Sequence, residues 1–311
     1  MTEPALMVGL GELLWDLLPS GKFLGGAPAN FAYMANALGD RGVIASRLGN
    51  DALGREAYGV LQRLGLTASY VQLDENHVTG RAEVMIDSGG SPTFTIKEAV
   101  SWDFLEWTSS WRELAERADV ICFGSLAQRS PASAATIEKF LLSARPECLR
   151  IFDVNLRQSF HSADVLARSL HHATIVKLTD QELARVSSVL LSSKGDEVSL
   201  GRRLISEFDL KLVCVTRGAR GSLLLSGSDA IEHKGLEVKV VDTIGAGDAF
   251  TACLAHHWLR GRSLVEMSDS ANRLASWVVT QPGAMPAIEA LELRELLDGG
   301  RQADSSGLSR K

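Results

Sequence analysis

The stretch VVDTIGAGDAF, residues 240–250, sets two acids, Asp242 and Asp248, around the run Gly245-Ala246-Gly247, where an apolar strand gives way to a helical pattern. A helix that begins near Gly245 leaves its first backbone N–H groups without partners, and they point at whatever lies in front of it. Glycine on both sides of Ala246 lets the backbone approach a ligand closely, and the positive end of the helix dipole favours an anion there. Gly245, Ala246 and Gly247 are therefore a candidate anion hole. A bound phosphate would repel an acid placed directly after them, so Asp248 needs a task. Its position suits a carboxylate that accepts the proton of a hydroxyl attacking a γ-phosphoryl group. The bland alternative is a tight strand-to-helix turn, which does not call for two glycines with an acid at each end.

A second informative stretch is GKFLGGAPANFAYMANALG, residues 21–39. Gly25 and Gly26 let the chain bend and allow a polyol to reach the backbone. Asn30 offers a donor and an acceptor at the start of an apolar helix, or simply caps it. Asp16, at the end of GELLWD, can accept two hydrogen bonds from neighbouring hydroxyls, or is a solvated acid behind a strand.

These residues need a scaffold. Short β-rich runs (LMVGLGEL, GVIASRLG, DVICFGSL, LRIFDVN, TIVKLT and KLVCVTRG) alternate with helical patterns such as ATIEKFLLSA, DQELARVSSVLL and LGRRLISEF. The alternation predicts a doubly wound α/β domain over 1–311, with a mainly parallel sheet and helices on both faces. The rhythm breaks over about 68–103, where YVQL, GRAEVMID and PTFTIKEA, with the turn SGGSP, predict a small inserted antiparallel β-sheet acting as a lid, joined by residues near 14–24. Val84, Ile86, Phe94 and Ile96 on its outer face offer a surface on which a second copy could pair as a homodimer. The polar tail 299–311 reads as flexible.

The chain of 311 residues is 45% apolar and 23% charged, with a formal net charge of −6. That balance gives no electrostatic reason to expect nucleic acid. No run approaches the length of a membrane span, and the N-terminus carries no leader pattern, so the expectation is a cytoplasmic protein with a small-molecule substrate. Cys122, Cys148, Cys214 and Cys253 lie far apart, mostly within apolar runs, and read as buried thiols in a reducing compartment.

Taken together, GGAPANFAYMANALG followed by SRLGNDALGREA, and DTIGAGDAFTACLAHHWLRG near the C-terminus, resemble the two signatures of the ribokinase-like, phosphofructokinase-B type carbohydrate kinases. The resemblance runs from about residue 6 to residue 290 and is nearest to fructokinase-type members. It implies phosphoryl transfer from ATP, with Mg2+, to a sugar hydroxyl, most like fructose at its terminal hydroxyl. It places the general base on Asp248, the anion hole on Gly245 to Gly247, and the sugar contacts on Asp16, Gly26 and Asn30. Arg157 in DVNLR falls near the transferring phosphoryl or the sugar, and Glu182 where the family orders magnesium through water. Thr216, Gly218 and Gly221 fall on the phosphate and ribose turn, and Asn272 on the rim of the adenine pocket. Thr179 stands where many members carry Asn, and its hydroxyl can still bond phosphate or water. Backbone carbonyls around Asp242 and Ile244, with Gly283 and Ala284, resemble a loop that can hold K+.

Other readings stay open at the level of substrate: 2-keto-3-deoxygluconate, ribose, a nucleoside, or an inactive sugar-binding regulator on the same fold. The lid segment lacks the Tyr-Tyr-Arg cluster that would suit a carboxylate-bearing sugar. GLGELL lacks the third glycine of a dinucleotide fingerprint, and GxxxxGK[ST] is missing, so the nucleotide site is not a P-loop. The adjacent pairs His171/His172 and His256/His257 do not have the spacing of a zinc site.

Overall fold

The computed structural model describes residues 3–18, 21–86 and 92–299. The N-terminal part runs β1 (Leu6–Leu10), β2 (Leu14–Leu18), β3 (Gly21–Gly25), α1 (Ala27–Ala37), β4 (Arg41–Gly49), α2 (Ala52–Arg63), β5 (Val71–Asp74), β6 (Gly80–Ile86) and β7 (Pro92–Ile96). It continues with α3 (Ser109–Arg117), β8 (Val120–Gly124), α4 (Pro131–Ser143), β9 (Leu149–Asp153), α5 (Ala163–His172), β10 (Ile175–Thr179), α6 (Asp180–Leu191) and α7 (Glu197–Phe208). The last elements are β11 (Leu212–Thr216), β12 (Ser222–Ser226), β13 (Asp229–His233), α8 (Ala246–Leu259), α9 (Leu264–Val278) and α10 (Ala290–Asp298).

Nine strands form one sheet in the order β13-β12-β11-β10-β9-β8-β1-β4-β5, parallel except for the β11–β12–β13 meander at one edge. Its central strands are apolar on both faces, as a sheet covered on both sides requires. In β8 the alternation is explicit. Val120 and Cys122 pack with α1, α8 and α9, while Ile121 and Phe123 pack into the core with α3, α4 and α5. The four cysteines are buried free thiols. No helix among the described residues is long and apolar enough to cross a membrane.

The chain leaves β1 for β4 and β5 on one side and later fills β8 to β13 on the other, so the strand order reverses at β1. A crevice opens at the carboxyl ends of strands at such a switch point, and ligands bind there in open α/β sheets.

A second sheet has four strands in the order β3-β2-β6-β7. Two corrections follow. The YVQL run does not belong to it: β5 pairs in parallel with β4 and forms an edge of the large sheet. The small sheet is also mixed rather than antiparallel, because β2 pairs in parallel with β6. The turn expected over 88–91, the side chains of Val84, Ile86 and Phe94, and the tail 300–311 lie outside the described residues. Ile96 is buried instead of lying on an outer face.

Candidate active site

The helix start expected near Gly245 is present, one residue later. Gly245 caps α8 with φ 81°, a left-handed conformation in which a Cβ would also come within 2.7 Å of the Ala284 backbone. The first-turn amides of Ala246 and Gly247 have no intrahelical partner and border the crevice. Gly247 is close-packed from below, since a Cβ there would lie 2.9 Å from Lys177 Nζ.

Two adjoining cavities meet at this turn. The larger, about 600 Å³, is lined by Thr179, Glu182, Thr216, Gly218, Gly221 and Asn272, the six residues expected on the nucleotide side. Leu236, Val238, Val240 and Val279 give it an apolar wall suited to a flat heterocycle. The smaller, about 350 Å³, is lined by Asp16, Gly26, Asn30 and Asp248. Arg157, Lys177, Asn155, Thr243 and Gly247 border both. Gly25 does not line either cavity; it makes room for Asp16, whose Oδ2 would lie 2.6 Å from a Cβ at that position. The small sheet walls the second cavity, with Leu14 and Asp16 from β2, Ala82 from β6 and Ile96 from β7.

On the acceptor side, Nδ2 of Asn30 donates to Oδ2 of Asp248 at 2.7 Å. Burial pushes the Asp248 carboxyl up to about 6, and Asp153 adds to that, while Lys177, Asn30 and Arg157 oppose it. Burial also raises Asp16 to about 6, against the pull of Arg157. Arg157 is exposed, with its Nη1 donating to the Leu156 carbonyl at 3.2 Å.

On the nucleotide side, Thr179 caps α6. Its Oγ1 accepts from the Glu182 amide at 3.1 Å, and Glu182 Oε2 accepts from the Thr179 amide at 2.8 Å. Glu182 Oε1 accepts from the Leu156 amide at 2.7 Å, tying α6 to the loop that carries Arg157. Asn272 is buried in the cavity wall, with Nδ2 donating to Ser222 Oγ at 2.8 Å and the Ser268 carbonyl at 2.7 Å. Asp242 lies outside both cavities. Its carboxylate accepts from the Ile244 amide at 3.0 Å and the Gly283 amide at 3.2 Å, which joins the two loops flanking the helix start.

Three acidic or basic residues of the site were not singled out from the sequence. Lys177 and Asp153 form a buried ion pair, with Nζ 2.9 Å from both carboxylate oxygens, directly beneath Gly247. Burial alone would favour loss of the lysine proton, but Asp153, with Asp248 and Glu182, holds it on. The available signal was a lone Lys in IVKLT and a lone Asp in LRIFD, charges inside strands buried on both faces. The third is Glu12, buried in the wall of the acceptor cavity.

Among the described residues no group of three or more His, Cys, Asp or Glu could hold a metal ion. The donor set fits a cation carried mainly by phosphate and water, because each oxygen of Glu182 takes one amide and keeps a lone pair for water.

Residues 20–291 match the sequence profile of the pfkB family carbohydrate kinases. The chain is 31% identical to the fructokinase of Escherichia coli over 302 residues, 90% of this chain and 94% of that one. The structure of an uncharacterized sugar kinase from Pyrococcus horikoshii superposes with a TM-score of 0.79 at 27% identity, covering 94% of this chain and 100% of the other. A fructokinase from Vibrio cholerae O395, in a fructose, ADP and calcium ion bound form, gives a TM-score of 0.77 at 25% identity, covering 96% and 99%.

Proposed function

The chain belongs to the pfkB family of carbohydrate kinases and is an ATP-dependent sugar kinase, and from that premise we propose that its acceptor is fructose, phosphorylated at the terminal hydroxyl. The observation that carries the reading is the meeting of the two cavities at Gly247, with Asp248 on the acceptor side and the α8 amides between them. A hydroxyl in the smaller cavity and a γ-phosphoryl group in the larger one would face each other across that turn.

In this reading Asp248 accepts the proton of the attacking hydroxyl, and the amides of Gly245, Ala246 and Gly247 hold the transferring phosphoryl group. Arg157 and Lys177, bordering both cavities, offset the negative charge that spreads over its oxygens in the transition state. Asp16 and Asn30 orient the sugar, so that much of the rate comes from holding the hydroxyl in line. Glu182 would order magnesium through water, and the ion neutralises the nucleotide phosphates when bound. The carbonyls near Asp242, Ile244, Gly283 and Ala284 suit a potassium ion beside the anion hole, the two loops being tied by the Asp242 carboxylate.

Among the described residues three carboxyl groups, Glu12, Asp16 and Asp248, face the acceptor cavity, and of the two cations there Lys177 is already paired with Asp153. That balance favours a neutral polyol over a carboxylate-bearing sugar such as 2-keto-3-deoxygluconate. Likeness to the E. coli fructokinase supports fructose among the neutral candidates. A coupled kinase screen over fructose, tagatose, ribose, adenosine and 2-keto-3-deoxygluconate tests it. The highest kcat/KM should fall on fructose, and a higher value on any other acceptor overturns the assignment.

A further inference from the structure

Among the described residues, two buried side-chain oxygens on the acceptor side have no hydrogen-bond partner: Oε2 of Glu12 and Oδ1 of Asn30. Both residues line the acceptor cavity and each is only 3% exposed. Leaving a buried oxygen without a partner is costly, so each needs one. The Asn30 carboxamide cannot turn over to find one. Its Nδ2 is committed to the Asp248 carboxylate, and a flip would set oxygen against oxygen.

Glu12 follows β1 at the switch point and reaches the start of α1, where the cap residue Gly26 has no side chain to serve the first turn. Its carboxyl faces the N–H of Ala27, and Asn30 stands three residues further on, one turn along the same face. An ionised carboxylate has nothing to give Asn30 Oδ1, whereas a protonated one has an O–H. Burial pushes the Glu12 carboxyl up to about 7, with the charge of Asp248 adding to the rise and the Glu12 and Ala27 amides and Arg157 opposing it.

We infer that Glu12 is a positioning residue for the base: carrying its proton, it donates through Oε2 to Oδ1 of Asn30 and fixes the carboxamide that presents Nδ2 to Asp248. The inference rests on the reading of Asp248 as base. Among the described residues, the charged groups that line the cavity with Glu12 are Asp248 from α8, Asp16 from β2, Arg157 from the loop after β9, and Lys177 from β10, the last paired with Asp153. As the pH rises through about 7, Glu12 loses its proton and two acceptors confront each other. Asn30 then loses its anchor, and turnover declines on the alkaline side although Asp248 remains ionised.

The test measures kcat and KM from about pH 5 to about pH 9 for the parent, Glu12→Gln, Glu12→Ala and Asp248→Asn, with ATP and the best acceptor found in the screen. Glutamine always carries N–H donors, so Glu12→Gln should keep most of the parent kcat near neutrality and lose the alkaline decline. Glu12→Ala should lose on the order of tenfold or more in kcat with little change in sugar KM. Should the alanine variant fail to fold, the pH profile of Glu12→Gln decides alone. A glutamine variant as impaired as the alanine one, or one that retains the alkaline decline, overturns the inference. So does an alanine variant whose loss lies in sugar KM, which would make Glu12 a sugar ligand. An active Asp248→Asn sinks the base reading itself, whereas an inactive Asp248→Asn beside an unimpaired Glu12→Ala sinks only the role of Glu12.

Discussion

Nδ2 of Asn30 lies 2.7 Å from Oδ2 of Asp248, so that the first turn of α1 holds the acid in the first turn of α8 across 218 residues of chain. One carboxylate oxygen is thereby fixed, and in the proposed mechanism the other takes the acceptor hydroxyl. The residue whose sequence position suggested a sugar contact therefore also orients the group expected to take the sugar proton. Both first turns are joined by this bond, so the proposed acceptor binding and base orientation would depend on one geometry.

Asp248→Asn keeps an oxygen for the Asn30 amide and removes the proton acceptor. Turnover should fall by roughly 10²–10⁴-fold. ATP affinity should hold or improve, because a negative charge facing the phosphates is gone while the helix amides remain. Single-turnover rates together with ATP titration measure both quantities. A purified variant within about threefold of the parent rate would remove Asp248 from the role of base.

The pH profile follows from the environment of the same carboxyl, raised to about 6 by burial and by Asp153. In the proposed role the carboxylate works unprotonated, so kcat/KM should fall as the pH drops through about 6, on the acid side of the decline expected from Glu12. The stability sign is opposite to that of a salt-bridged acid. A folded-state value above that of the unfolded chain means the ionised form is the costly one, and the cost is relieved as the pH falls. Asp248→Asn should therefore melt higher than the parent at neutral pH, with the gap narrowing between about pH 6 and about pH 4. Equal melting temperatures at neutral pH would show that the carboxyl is not desolvated.

The helix start at Gly245 to Asp248 was legible in the sequence because its groups lie in one turn, where spacing alone places them. The doubly wound sheet was legible for a similar reason, since strand and helix periods are local. YVQL was assigned to the wrong sheet because a four-residue strand has the same pattern whether it edges a large sheet or a small one. The Lys177–Asp153 pair depends on β9 and β10 lying side by side in register, Asp153 opposite Lys177, a fact of topology rather than of any window of sequence. Glu12 lies in GLGELL, which by itself resembles part of a dinucleotide turn, and its place beside Asn30 in the wall of one cavity follows only from the tertiary fold.

Asp16→Ala should damage sugar use and spare the nucleotide, because Asp16 lines only the acceptor cavity. If Asp16 pairs with sugar hydroxyls as proposed, removing its carboxylate from a largely buried site should cost about 1–3 kcal/mol, or roughly 5- to 150-fold in sugar KM. The KM for ATP should stay within about twofold of the parent. Initial-rate kinetics with each substrate varied in turn check it, and unchanged sugar kinetics would move the acceptor site elsewhere.

Lys177 and Asp153 separate support from catalysis through a double variant. Lys177→Met alone leaves a buried carboxylate whose remaining partner is the Thr251 hydroxyl at 3.2 Å, and such a break costs about 3–5 kcal/mol. Asp153→Asn in the same chain removes that unpaired charge, so the double variant should regain most of the lost melting temperature. Turnover should not return with it, because the double variant still lacks the ammonium beneath Gly247, which borders both cavities and in the proposed mechanism shares with Arg157 the charge of the transferring phosphoryl. Calorimetry and kcat on the same preparations decide the matter. If turnover recovered in step with stability, Lys177 would be a structural cation, and the charge on the phosphoryl group would fall to Arg157 and the helix amides alone.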